Sequence, residues 1–201
     1  MRYLPELFAR NRAWAARCVA QDPHFFKRLE QVQTPECLWI GCSDSRVPAN
    51  QIVDLPPGQL FVHRNVGNLV HHDDPNALSV LQYAVEVLRV SHVIICGHYG
   101  CGAVQAAFSG SLTPPLDGWI QRIRTVRAAH QAELDRLPDQ ESRWRKLCEL
   151  NVAAQVAAIC KTTIVTSAWA RQQPLIIHGW IYDLDRGLLH DLDLSVQGES
   201  S

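Results

Sequence analysis

Two short clusters of reactive side chains stand out. One is Cys42-Ser43-Asp44-Ser45-Arg46, directly after the apolar run Cys37-Leu38-Trp39-Ile40-Gly41. The other is His98-Tyr99-Gly100-Cys101-Gly102, directly after His92-Val93-Ile94-Ile95-Cys96-Gly97. Cys42, His98 and Cys101 together supply two thiolates and one imidazole, a soft set suited to Zn²⁺. Three protein ligands leave one tetrahedral position open, as in catalytic rather than structural zinc sites. Cys96 is a rival ligand, but its place inside an apolar strand assigns it to the core. Two thiolates cancel the metal's charge, so acidifying a bound water calls for help nearby. Asp44 is placed to close the open position or to orient what binds there. Arg46 can pair with Asp44, keep it ionised and draw it off the metal.

Elements must bring these clusters together. The run 37–41 and the segment Leu60–Val66, after the turn Pro56-Pro57-Gly58, read as strands, as do 92–97 and Leu175–Tyr182. Asp74-Pro75 caps and opens a helix with Leu78, Leu81, Val85 and Leu88 on one face. Another helix begins at Gly100, and two long ones follow Pro114-Pro115, over about 117–135 and 141–160. Asp185-Arg186-Gly187 turns the chain into a last strand, Leu188–Leu194. Strands alternating with helices predict an α/β fold: a central, mostly parallel sheet flanked by helices, with the last strand antiparallel. In such sheets ligands bind beyond the carboxyl ends of the strands, where both clusters lie. A first helix over Leu4–Val19 and a short one after Pro23 form an N-terminal helical arm, read as amphipathic rather than as a targeting segment.

With 201 residues, 47% hydrophobic and 19% charged, the chain reads as a single domain with an arm over 1–34. A net charge of −1 gives no signature for nucleic acid, and no apolar run reaches membrane-spanning length, so neither partner is expected. Seven cysteines, an odd count, predict reduced thiols and a cytoplasmic protein. The glycines at 97, 100 and 102 lack the Lys-Ser/Thr of a phosphate loop. His63, His71, His72 and His190 are read as surface or satisfied core histidines, and none is assigned as a proton shuttle.

Cys-Ser-Asp-Ser-Arg with a downstream His-Tyr-Gly-Cys-Gly resembles the β-class carbonic anhydrases. The likeness extends to 61–66 (Phe-Val-His-Arg-Asn-Val), Leu78-Ser79-Val80, Gln82-Tyr83-Ala84, 148–152 (Cys-Glu-Leu-Asn-Val) and His178-Gly179-Trp180. The resemblance implies reversible hydration of CO₂ to bicarbonate by zinc hydroxide, with one Zn²⁺ per chain. It makes Cys42, His98 and Cys101 the zinc ligands and Asp44 with Arg46 the catalytic dyad. Gln33 matches a residue that binds a substrate oxygen from the adjacent subunit, which implies a homodimer or dimer of dimers. Trp39, Arg64 and Tyr182 match a non-catalytic bicarbonate pocket of bacterial members, where the anion favours a closed state with a rearranged loop, here Ser45–Pro48. Asn50 departs from those relatives, which often carry Glu. The alternatives are a CS₂ or COS hydrolase on the same metal site and an inactive zinc-stabilised protein. A thiol-redox module is disfavoured because no Cys-x-x-Cys is present.

Overall fold

A computed structural model describes residues 3–31 and 33–198, in two compact units divided between Thr34 and Pro35. The first unit holds α1 (Pro5–Gln21) and α2 (Phe25–Gln31), with Trp14 edge-on to Phe26 at 5.5 Å between ring centroids. The second holds β1 (Cys37–Cys42), α3 (Ala49–Ile52), β2 (Leu60–Asn65), α4 (Pro75–Gln82), β3 (His92–His98) and α5 (Gly102–Ala106). It continues through α6 (Leu116–Ala129), α7 (Gln131–Asp135), α8 (Gln140–Cys160), α9 (Thr163–Ala170), β4 (Ile176–Asp183), β5 (Leu188–Asp191) and β6 (Val196–Gln197).

The strands form one sheet in the order β2-β1-β3-β4-β5. The first four are parallel, while β5 and β6 run antiparallel along β4. From β1 the chain goes to β2 on one side and then to β3 on the other. The carboxyl ends of β1 and β3 therefore diverge at a topological switch point, which opens a crevice there. One face of the sheet packs Leu38, Ile40, Val93, Ile95 and Ile177 against α4, α8 and α9. Gly97 makes this approach feasible: a Cβ there would lie 2.6 Å from a methyl of Val152 on α8. The other face carries a smaller cluster, Trp39, Ala49, Ile94 and Cys96 with Trp180 and Tyr182. β4 shows the asymmetry, burying Ile177, Gly179, Ile181 and Asp183 while the residues between are half-buried.

Asp74 caps α4 as expected, accepting from the amides of Asn76 and Ala77 at 3.0 and 3.3 Å. That helix then widens into a π-helical turn over Tyr83–Val87. The stretch expected as one helix over 117–135 breaks at His130, whose φ of −113° and ψ of 18° interrupt it between α6 and α7. The last strand is shorter than expected: β5 stops at Asp191, Asp193 takes a left-handed φ of 56°, and β6 resumes pairing. Neither α3 nor α9 was anticipated. No single helix among the described residues is long and apolar enough to cross a membrane. Only joined across their 60° bend are α8 and α9 long and apolar enough, and Val152, Val156, Ile159, Val165 and Ala168 of the pair lie in the core described above.

Candidate metal centre

β1 ends at Cys42 and β3 ends at His98, adjacent strands whose register pairs Gly41 with Cys96. Cys101 closes the tight turn after β3, which Gly100 makes with a φ of 69°. The ligating atoms of Cys42, His98 and Cys101 lie within 4.8 Å of one another, and all three residues are buried. The two sulfurs are 3.9 Å apart. Hydrogen bonding of His98 Nδ1 to the carbonyl of Tyr99 at 2.9 Å selects the tautomer that leaves Nε2 as a lone-pair donor. That Nε2 is buried and has no hydrogen-bond partner. A buried imidazole nitrogen without a partner, facing two thiols, is costly unless a cation sits between them. The donor set fits Zn²⁺. Cys96 is fully buried in the smaller cluster, where burial pushes its thiol pKa up, so it is not part of this triad.

The thiols behave as a coupled pair. Hydrogen bonding from Cys101 drives the Cys42 pKa down, assisted by the Gly67 amide, which donates to Sγ at 3.5 Å. The same contact, with burial, drives Cys101 up. Two adjacent thiolates repel, so both ionise together only against a positive charge.

Asp44 lies beside the triad, its Oδ2 3.8 Å from His98 Nε2. Arg46 holds the carboxylate three times: its backbone N–H and Nε donate to Oδ1 at 2.9 and 3.0 Å, and Nη2 donates to Oδ2 at 2.7 Å. Those Arg46 bonds hold the carboxyl well below the usual carboxylate range. Nη2 also reaches the Gly100 carbonyl at 3.3 Å, tying the loop after β1 to the loop after β3.

The remaining expected residues are placed as follows. Arg64 on β2 donates through Nε to the Cys42 carbonyl at 2.8 Å and through Nη2 to the Asp44 carbonyl. Trp39 is buried edge-on to Trp180, and Tyr182 packs in the same cluster on the same sheet face. Asn50 donates to the carbonyls of Leu55 and Pro56. Gln33 is exposed and belongs to the first unit. His63 is buried against Asn65, and His71 pairs with Asp73. The sequence reading missed Gly67 and the buried amides Asn151 and Gln155 on α8. Their signal was present as two amides four residues apart in a helix otherwise burying Leu, Val, Ile and Cys.

Comparison with known proteins agrees with this geometry. Residues 37–189 match the family model described as carbonic anhydrase. A carbonic anhydrase of Emericella nidulans is 44% identical, covering 98% of this chain and 88% of its own. A β-carbonic anhydrase of Coccomyxa, solved with acetazolamide, superposes with a TM-score of 0.94 at 42% identity, over 98% of this chain and 90% of that one. A β-carbonic anhydrase of Sordaria macrospora, from a pair described as tetrameric, gives 0.93 at 37% identity over 98% of this chain and 100% of that one. By the match over 37–189 and by these relatives, the chain belongs to the β-carbonic anhydrase family.

Proposed function

We propose that this protein catalyses the reversible hydration of CO₂ to bicarbonate and a proton, with one Zn²⁺ held by Cys42, His98 and Cys101. The observation that carries the reading is the buried triad with its unpartnered His98 Nε2, beside a carboxylate locked by Arg46. Bound Zn²⁺ supplies a Lewis acid that makes water nucleophilic near neutral pH. Asp44 Oδ2 accepts a hydrogen bond from the attacking group and aims it at carbon. Arg46 fixes the carboxylate and keeps it ionised through catalysis. Gln33 of a second copy donates to a substrate oxygen, which makes the working unit a homodimer or a dimer of dimers. The intact Asp44–Arg46 pair argues against an inactive zinc-stabilised protein, and the named relatives favour CO₂ over CS₂ or COS. Seven unpaired cysteines suit a reducing compartment such as the cytoplasm.

A second reading concerns regulation. Arg64 holds the carbonyls of Cys42 and Asp44, so an anion competing for its guanidinium loosens the loop carrying Asp44. Trp39 and Tyr182, on the same sheet face, would complete a bicarbonate pocket with it.

Stopped-flow CO₂ hydration with metal analysis tests the main reading. The expected result is about one zinc per chain, with metal and activity lost together in Cys42→Ala, His98→Ala and Cys101→Ala. Full zinc retention in all three variants would refute the site.

A further inference from the structure

We propose that Asn151 and Gln155 on α8 are positioning residues for Cys42, acting by holding Gly67 where its amide meets the Cys42 sulfur. The inference rests on the reading of Cys42 as a metal ligand. Both amides are buried, at 1% and 5% exposure, in a helix whose other buried positions are Leu147, Cys148, Val152, Val156 and Ile159. A helix that had only to cover a sheet would place apolar side chains there, because an amide taken from water is costly unless its bonds are made. At i and i+4 the two side chains stack on one stripe of the helix.

Their bonds form a continuous chain. Gln155 Nε2 donates to Asn151 Oδ1 at 3.0 Å, and Asn151 Nδ2 donates to the Gly67 carbonyl at 2.9 Å. The Val70 amide donates to Gln155 Oε1 at 2.8 Å. The pair thus grips the loop 66–70 at both ends. From the other side, Asn65 exchanges two bonds of 2.7 Å with the Leu69 backbone. Side-chain amides do here what a helix or sheet ladder does elsewhere.

The held loop reaches the metal triad through the Gly67 N–H, which donates to Cys42 Sγ at 3.5 Å. Gly67 has a φ of +84°, and a Cβ there would meet Ile123 Cδ1 at 3.0 Å and Ala103 Cβ at 3.2 Å. Glycine takes this φ without strain, and the neighbouring side chains leave no room for a larger residue. An N–H aimed at a thiolate offsets part of its charge and fixes its rotamer, which is how outer-shell groups tune a metal ligand. Asn151 and Gln155 set that N–H in place without touching the sulfur.

The test uses the zinc-loaded full chain with Asn151→Leu and, separately, Gln155→Met, which keeps the side-chain length while removing both bonds. Val156→Ala is the control, since Val156 lies on the same helix but packs on Gly179 of β4, away from the triad. Zinc release to a chromogenic chelator and thermal melting are measured for each. Both amide variants should release zinc about 10-fold faster or more, and their cobalt-loaded forms should show a shifted sulfur-to-metal charge-transfer band. Val156→Ala should melt lower yet release zinc at the parent rate. Parent-rate release from the amide variants overturns the proposal, as does equal acceleration in Val156→Ala at matched loss of melting temperature. If Asn151→Leu fails to fold, Gln155→Met decides alone. Cys42→Ala separates the two readings. Loss of zinc there with parent-rate release in the amide variants sinks only the relay, whereas zinc fully retained by Cys42→Ala removes Cys42 as a ligand and sinks the reading on which the relay rests.

Discussion

Asp44 and Arg46 are two residues apart, close enough for one short loop to place a backbone N–H and a guanidinium on the same carboxylate. Exposed Asp–Arg pairs contribute little stability, and Arg46 is 59% exposed. The pair's value is orientation, since the carboxylate itself is only 17% exposed and faces His98. Arg46→Ala should therefore lower CO₂ hydration by about 100-fold or more while zinc content stays near one per chain. Near-normal turnover in that variant would remove Arg46 from the mechanism. With Arg46 holding Asp44 depressed, the pair's contribution is present above the ordinary carboxylate value of 3.8 and lost only as pH falls well below it. The dyad thus stays intact in mild acid. The bicarbonate reading is also decided by single side chains. Bicarbonate should inhibit beyond product competition, and Trp39→Phe or Tyr182→Phe should weaken that inhibition severalfold with zinc retained. Unchanged sensitivity in both variants would leave Arg64 as a loop clamp alone.

Strands position the site, and two of them carry histidines whose protonation opposes folding. His63 on β2 is held below its ordinary value of 6.5 chiefly by burial. His178 on β4 is lowered by burial and then by His92, whose Nδ1 is 3.0 Å from its Nε2, while Asp191 raises it weakly. Its Nδ1 meets Ser195 Oγ at 3.0 Å, beside β6. The unfolded chain binds more protons than the folded one below pH 6.5, so stability is full above that value and declines beneath it. The carboxylates with depressed values stay ionised in both states there, so the histidines add their slope to that of the lowered Cys42 thiol. Melting temperature should drop between pH 7.5 and 5.5, and His178→Gln should flatten the drop. A parent protein whose melting temperature is constant across that window contradicts the argument.

For the whole molecule, α1 supplies the strongest signal of assembly. None of its residues is buried, although Leu7, Phe8, Trp14 and Val19 are large and apolar. Apolar surface of this kind suits a contact with another chain, and under the proposed function Gln33, in the same unit, would give that contact a catalytic reason. Light scattering should report a dimer or a multiple of it, in keeping with the tetrameric Sordaria relatives. An active, monodisperse monomer would refute the shared site.

Local pattern was enough to read the triad, the dyad, the helix opened by Asp74-Pro75 and the parallel sheet. Apolar runs of strand length end in polar clusters, and a cap acts within one turn. Helix α9 was not legible for the opposite reason. Thr163-Ile164-Val165-Thr166 is β-branched and favours a strand. It is helical because Thr162 caps it and because Val165 and Ala168 are buried against the sheet's main core. The strand order and the short return through β6 likewise depend on pairing partners far along the chain. So does the environment of Cys42. Its sulfur meets an amide from the loop after β2, its carbonyl meets Arg64 from β2, and α8 steadies the loop from 84 residues away in sequence. Residue chemistry and short spacing settle which side chains could bind a metal and hold a carboxylate beside it, so that much is legible along the chain. Which backbone groups face those side chains is settled later, because distant hydrogen bonds form only once the sheet and α8 have closed around the loop.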